Sequence, residues 1–352
     1  MTVRSIVCLD FTLDRLCAVE VMDKKVTGWT VEMLPPGSLR GGNPVDPAAL
    51  GARLRSALAE AGITATRARI ALSDDAAVVR VVDVPDIPKR HLGGAVRFLA
   101  EQETPFPSGQ ASLAWDVMQR EGDNLRIYIT AAWRDVIQRL CEVVRAAGLV
   151  PEVIEPRSLA LSRAISRDEA IVLDASQSAA RLTFVSRKQA PFVDELPTPE
   201  GQRWETANTL LARALRSHQG PTPVALLAGD LEAGAGWDRA ELLPIDAYPV
   251  SSVLNGHAPL RPQSMPGGIL LAPVGLAMRG LITGAGTHFP KVNLMTNPGR
   301  RVGRFFPSLP KDLAASRWLA AAAVAAAVVI WGVVGVGIAT LLGLHPRLPL
   351  GP

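Results

Sequence analysis

Val84-Pro85-Asp86-Ile87-Pro88 opens a stretch that Thr104-Pro105-Phe106-Pro107 divides and Ala147-Gly148-Leu149 closes. Its reading decides the fold. Between the two proline pairs, Leu92, Val96 and Leu99 recur at helical spacing, which predicts an amphipathic helix. The helix stops at Thr104, because Pro105 and Pro107 cannot sit in a helix interior. Residues 113–118 and 125–131 then read as a hairpin across 120–124. Residues 133–147 follow as a second helix, with Val136, Ile137, Leu140, Val143 and Val144 along one face and Gly148 closing it. Helix, two strands, helix make a small sandwich of the size of a subdomain.

Upstream, residues 5–9 and 16–22 read as hairpin strands around the turn 10–15, and 27–34 as a third strand before a Gly/Pro-rich loop at 35–44. Leu50, Leu54 and Leu58 predict a helix over 47–61 that Gly62 ends; 67–72 and 77–82 are strand-like. Strands followed by a helix point to α/β layers. Downstream, 170–173 and 180–185 flank a polar turn, so that strand, aspartate, turn and strand echo residues 6–21. The echo suggests two similar halves. Residues 203–217 read as a helix, 224–227 as a strand, 230–236 as a turn, 246–265 as loop and 270–281 as a last helix.

Residues 318–344 contain no charged side chain. As a helix they would be ~40 Å long against a hydrocarbon core of ~30 Å, enough to span a membrane with some tilt. Lys291, Arg300, Arg301, Arg304, Lys311 and Arg317 precede the segment against one acid, Asp312; Arg347 and His345 follow it. That asymmetry predicts a single pass in the bacterial inner membrane with the N-terminus in the cytoplasm and residues 345–352 as a short external tail. The apolar core of a secretory signal is excluded at the N-terminus by Asp10, Asp14 and Arg15. Cys8, Cys17 and Cys141 form no CxxC pair and are expected as free thiols, and the scattered histidines suggest no metal site. The net charge of +4 includes this juxtamembrane excess, which suits anionic lipid; nucleic acid is not expected as a partner.

The stretch 81–164 resembles the PilM family, cytoplasmic actin-like proteins of type IV pilus assembly. The landmarks, in the family's order, are the two proline motifs, Ala95-Val96-Arg97-Phe98 with Glu101-Gln102-Glu103, then Trp115-Asp116-Val117, Thr130-Ala131-Ala132 and Ala147-Gly148-Leu149. Ala272-Pro273-Val274-Gly275-Leu276-Ala277-Met278-Arg279-Gly280 is similar to the family's late helix. The resemblance implies an α/β, two-lobed actin-like fold over residues 1–283, with helices around a nucleotide cleft and residues 84–150 as a small inserted α+β subdomain. It also implies kinship with GspL of type II secretion, which joins such a module to a membrane helix. Lys291-Val292-Asn293-Leu294-Met295 is similar to the peptide that opens PilN, the family's membrane partner. Residues 284–317 would then be a PilN-like peptide and basic linker, with Val292, Asn293, Leu294 and Met295 as partner-peptide residues. Because the tether from 284 to 291 reaches at most ~28 Å, the peptide is expected to seat in a neighbouring copy's groove and to drive self-association, the competing reading being that it docks on its own copy and the protein stays monomeric.

Actin-like ATPases hold phosphates on turns of the type Asp-x-Gly, where backbone amides approach the oxygens. Here Asp10 is kept, but Thr12 stands at the family's glycine and Cys17 at its usual lysine. In the second turn Asp174 is kept, with Ser176 at the glycine position, and the adenosine-side turn reads Ala228-Gly229-Asp230. A thiol in place of an ammonium removes the expected cation, leaving two aspartates to repel a polyphosphate. The bland alternative makes Asp10 and Asp174 turn residues that cap nearby amides. Cys17 is expected to be buried and inert. No cofactor is expected, ATP with magnesium being the doubtful one. Two functions remain: a membrane-anchored, non-enzymatic scaffold with PilN/PilO-like partners, linking an envelope complex to its motor, or an ATPase or sugar-kinase-like enzyme of the same superfamily. The site residues favour the scaffold.

Overall fold

The computed structural model describes residues 5–295 apart from 13, 24, 108, 166–167, 176–178, 187–188, 201, 218–223, 230–241, 245–268 and 280–288. Segment 318–344 and its flanks lie outside the described residues. Among those described, no helix is long and apolar enough to cross a membrane.

Apolar residues run through β1 (Ile6–Thr12) and β2 (Arg15–Met22), both buried on nearly every position, so these strands lie inside a sheet covered on both faces. They pair antiparallel, β3 (Lys25–Met33) extends the meander, and β4 (Leu39–Arg40) and β5 (Asn43–Pro44) form a small loop ladder. Helix α1 (Pro47–Glu60) starts where Asp46 accepts hydrogen bonds from the Ala48 and Ala49 amides and Pro47 takes the first turn. It ends at Gly62, whose positive φ of 66° suits the reversal there. The crossover leads to β6 (Arg67–Leu72), parallel to β1, and later β10 (Val150–Pro156) adds parallel to β6, giving the order β10-β6-β1-β2-β3.

Between β6 and β10 the chain builds a smaller layer. β7 (Ala77–Pro85), β8 (Ala111–Glu121) and β9 (Asn124–Trp133) form an antiparallel sheet of order β7-β9-β8. Leu92, Val96 and Ala100 of α2 (Lys89–Glu103) pack on its Val84, Leu125, Ile127 and Ile129. Helix α3 (Arg134–Ala146) returns the chain by burying Val136, Ile137, Leu140, Val143 and Val144 in the main core.

After β10, α4 (Arg157–Ala164) leads into a second sheet. β11 (Glu169–Ala175), β12 (Ala179–Ser186) and β13 (Phe192–Pro197) form a meander; β14 (Val224–Gly229) and β15 (Leu242–Pro244) add in parallel, in the order β13-β12-β11-β14-β15. This repeats the topology of the first sheet strand for strand, as the echoed aspartate turns suggested. Helix α5 (Arg203–Ser217) covers it through Ala207, Leu210, Leu211 and Ala214. Helix α6 (Leu271–Ala277) is shorter than the periodicity of 270–281 suggests. It packs on α4 so closely that a Cβ on Gly275 would stand 1.9 Å from the Ala160 carbonyl oxygen, so only glycine fits. Every residue of α4 and α6 is buried, and the two helices share a core with Cys8, Cys17 and Val19 of the first sheet and Val172 and Val185 of the second.

Candidate functional site

Where the two like sheets approach each other, three arginines meet five carboxylates. Arg157, the first residue of α4, is only 1% exposed. Its Nε donates to Asp10 Oδ2 at 2.9 Å and its Nη2 to Asp174 Oδ2 at 3.2 Å, so one guanidinium joins both halves. Arg15, from the β1–β2 turn, donates from Nη2 to Asp174 Oδ1 at 2.5 Å. Arg181, on β12, crosses the other way: Nη1 donates to Thr12 Oγ1 and Ser73 Oγ, each at 3.1 Å, while Nη2 bonds Asp75 and Nε donates to Glu195 Oε2 at 2.7 Å. Asp74 accepts from the Ser158 amide at 3.1 Å and from its hydroxyl at 2.6 Å, capping the start of α4.

Burial sets the electrostatics. Desolvation alone would raise the Asp174 carboxyl, but the charges of Arg15 and Arg157 outweigh it and hold Asp174 below the usual range. Burial likewise pulls the Arg15 and Arg157 guanidiniums down; Asp174 reverses this for the first and Asp10 with Asp174 for the second, so both end above the ordinary value. Asp74, whose donors are neutral, is raised by burial. Burial pushes the Cys8 thiol up to about 12, and raises Cys17 as well. Cys17 is fully buried and protonated at neutral pH, the inert thiol its surroundings in sequence suggest.

Of the residues singled out from sequence, Asp10, Thr12 and Asp174 converge here. Cys17 stands opposite Asp10 in the β1–β2 register, and Gly229 ends β14 opposite Ala175. Ser176 lies outside the described residues. Two expectations are corrected. The aspartates are not turn residues capping amides: they sit in ladder register and ion-pair with arginine. Nor is the region short of cations, since loss of a lysine at position 17 is offset by Arg15, Arg157 and Arg181. A magnesium–phosphate group does not fit this donor set. It would have to displace guanidiniums from both carboxylates in a space closed to water. Beside Arg181 lies a cavity of about 380 Å³, lined by Phe11, Leu39, Gly42, Ser73, Asp75 and Glu195 among others.

A second locus lies at the outer edge of β10. The Asn293 side chain donates to the Glu152 carbonyl at 2.9 Å and accepts from the Ile154 amide at 3.1 Å; the Leu294 amide donates to the Ile154 carbonyl at 2.8 Å. Lys291 donates its amide to Asp116 Oδ2 on β8 at 2.8 Å. Val292 and Leu294, each 1% exposed, join the main core, and Met295 packs against it. Residues 291–295 thus lie between β10 and β8 of the same chain, a seat that is not out of the tether's range. In fact Arg279, just past α6, ion-pairs with Glu155 of β10, and its carbonyl accepts from Arg69 of β6, so the chain leaves α6 beside the strand to which it returns.

Two mixed sheets of identical order, joined at a central pair of helices, define an actin-like fold. Residues 13–185 match the family model described as type IV pilus assembly protein PilM, which assigns that segment, just under half of the chain, to the PilM family. A chain of the PilM-PilN type IV pilus biogenesis complex is similar in structure, with a TM-score of 0.62, 21% identity, and 79% of this chain and 99% of that one covered. The cytoplasmic domain of EpsL, an inner membrane component of the type II secretion system of Vibrio cholerae, aligns with a TM-score of 0.47 and 11% identity over 83% of this chain and 98% of that one. The ethanolamine utilization protein EutJ from Carboxydothermus hydrogenoformans gives 0.40 and 13% over 79% and 90%. Among curated proteins no sequence matches the chain.

Proposed function

We propose that this chain is a non-hydrolysing, membrane-tethered scaffold of a type IV pilus or type II secretion assembly platform. In this reading residues 1–283 are a cytoplasmic PilM-type domain with 84–150 inserted, 284–317 are a PilN-like peptide and basic linker, and 318–344 anchor the chain with 345–352 outside. The observation that carries it is the seating of Val292, Asn293, Leu294 and Met295 between β10 and β8. The chain supplies from its own tail the kind of extended segment that such a groove binds by backbone bonds and apolar pockets. The anchored end then ties the domain to envelope partners of PilN/PilO type and presents its other faces to the motor. The pairing of Asp10 and Asp174 with arginine supports a degenerate nucleotide site at Asp10, Thr12, Cys17, Asp174, Ser176 and Gly229, and so a structural role.

Topology and chemistry test this separately. A reporter fused after Pro352 is expected to be active only outside the cytoplasmic membrane, and cytoplasmic activity removes the anchor. Calorimetry of the purified chain with Mg-ATP is expected to show no sub-micromolar binding. Such binding, lost in Asp174→Ala, would establish the enzyme reading instead.

A further inference from the structure

β10 and α4 are consecutive, and they carry contacts of two unlike kinds. Glu152 and Ile154 of β10 hold the tail. A few residues on, Arg157 of α4 bridges the two halves through Asp10 and Asp174. Little between them can absorb a displacement. Glu155 is fully buried and clasped by Arg163 of α4 and by Arg279. Pro156 fixes its own φ at the junction. α4 is buried along its whole length and wedged against Gly275 of α6. Packed elements of this kind move as units between discrete arrangements instead of deforming smoothly.

We propose that seating of the tail on β10 and closure of the two halves by Arg157 are one coupled device. The seated tail pins β10 and α4 in the register at which Arg157 reaches both aspartates; when the tail leaves, the bridge slackens and the halves part. The coupling is reciprocal, so breaking the bridge weakens the tail's seat by the same factor. The tail's occupancy of the groove is thereby reported at the distant junction between the sheets, with no nucleotide involved.

The thiols provide a readout. Cys8 and Cys17 lie in the core shared by the two halves. Cys141 sits in the main core with Val292 and Leu294 and reports on the seat itself, so the amides of Leu210 and Leu211 on α5, in a separate core, serve as the internal control. In the purified full chain, Asn293→Ala removes the side chain that bonds Glu152 and Ile154. Site-resolved thiol labelling is expected to speed up about tenfold at Cys17 while hydrogen exchange at Leu210 and Leu211 stays unchanged. In the reverse direction, Arg157→Lys keeps the charge but loses the fork, and is expected to speed hydrogen exchange at the Leu294 amide by a similar factor. Should Arg157→Lys not fold, Asp10→Asn serves the same arm. Faster exchange at Leu210 and Leu211 alongside Cys17 would mean general unfolding and overturn the proposal, as would a change in Asn293→Ala confined to residues 150–154, 291–295 and Cys141. These outcomes do not depend on membrane topology, so the proposal can fail while the scaffold reading stands.

Discussion

The β1–β2 and β11–β12 hairpins are the same structure with different charges. Each puts an aspartate, Asp10 or Asp174, at the same place, beside an alanine of the parallel neighbour strand (Ala71 or Ala228) and opposite one residue of its hairpin partner. In the first hairpin that partner is Cys17, a thiol turned into apolar core; in the second it is Arg181, which reaches into the other half to Thr12, Ser73 and Asp75. Arg15 makes the return crossing to Asp174. Asp174 therefore receives two guanidiniums and Asp10 one, and among the described residues Asp10 Oδ1 has no partner. Neither half is electrostatically complete alone. What was duplicated as a fold has become interlocked by unequal charge.

That inequality can be broken experimentally. The largest effect is expected from Asp174→Ala, which strands two buried arginines and should cost about 3–5 kcal/mol in denaturant unfolding. Asp10→Ala strands one and should cost less; an equal or greater loss would refute the asymmetry. Restoring a lysine by Cys17→Lys should destabilise by about 3 kcal/mol, because the ammonium would be buried where the nearby acids, Asp10 and Asp174, are already paired with Arg15 and Arg157, and calorimetry should show no gain of Mg-ATP binding even with Thr12→Gly added. Arg181→Lys keeps the charge but not the planar fork shared among Thr12, Ser73, Asp75 and Glu195, and is expected to cost about 2 kcal/mol.

The smallest effect is the one on pH. Asp174 lies below its unfolded value, so its contribution is complete above ~3.9 and is lost as pH falls toward the folded value. Asp74 is raised, so its sign is opposite: keeping it charged costs stability at neutral pH, and protonation relieves that cost as pH falls through its folded value. Acid unfolding of Asp174→Asn should therefore have a shallower limb below pH ~4 than the parent, and Asp74→Asn a steeper one above pH ~4, where the folded Asp74 takes up its proton before the unfolded one does.

Local signals made the insert legible. Pro85, Pro88, Pro105 and Pro107 punctuate it, and α2 and α3 each keep one wet face, so their apolar period shows in the sequence. The repeated halves showed through Asp10 and Asp174. The element that matters most, β10 with α4, left no such trace. β10 is a short strand holding Pro151 and Pro156, and α4 is buried on every side, so it has no amphipathic period, and its N-cap residue, Pro156, supplies no capping side chain. The partners of Arg157 are equally remote in sequence: Asp10 lies 147 residues away. An arginine whose acidic partners are so remote in the chain reads as surface until the fold brings them to it. The tail was recognised by its residues, yet its seat depended on where α6 ends, a fact of tertiary packing alone.

The tail lodged beside β10 also has a consequence for supply. A groove filled by a segment of its own chain comes with its occupant at a fixed ratio of one to one, whatever the expression level of any second gene. A separate peptide of equal intrinsic strength competes against a local concentration of ~mM. At ~1 μM it would hold the groove in roughly one molecule per thousand. Copies of related proteins in the same cell, each with its own loose peptide, would therefore pass this groove by, and the chain keeps its assembly insulated from theirs.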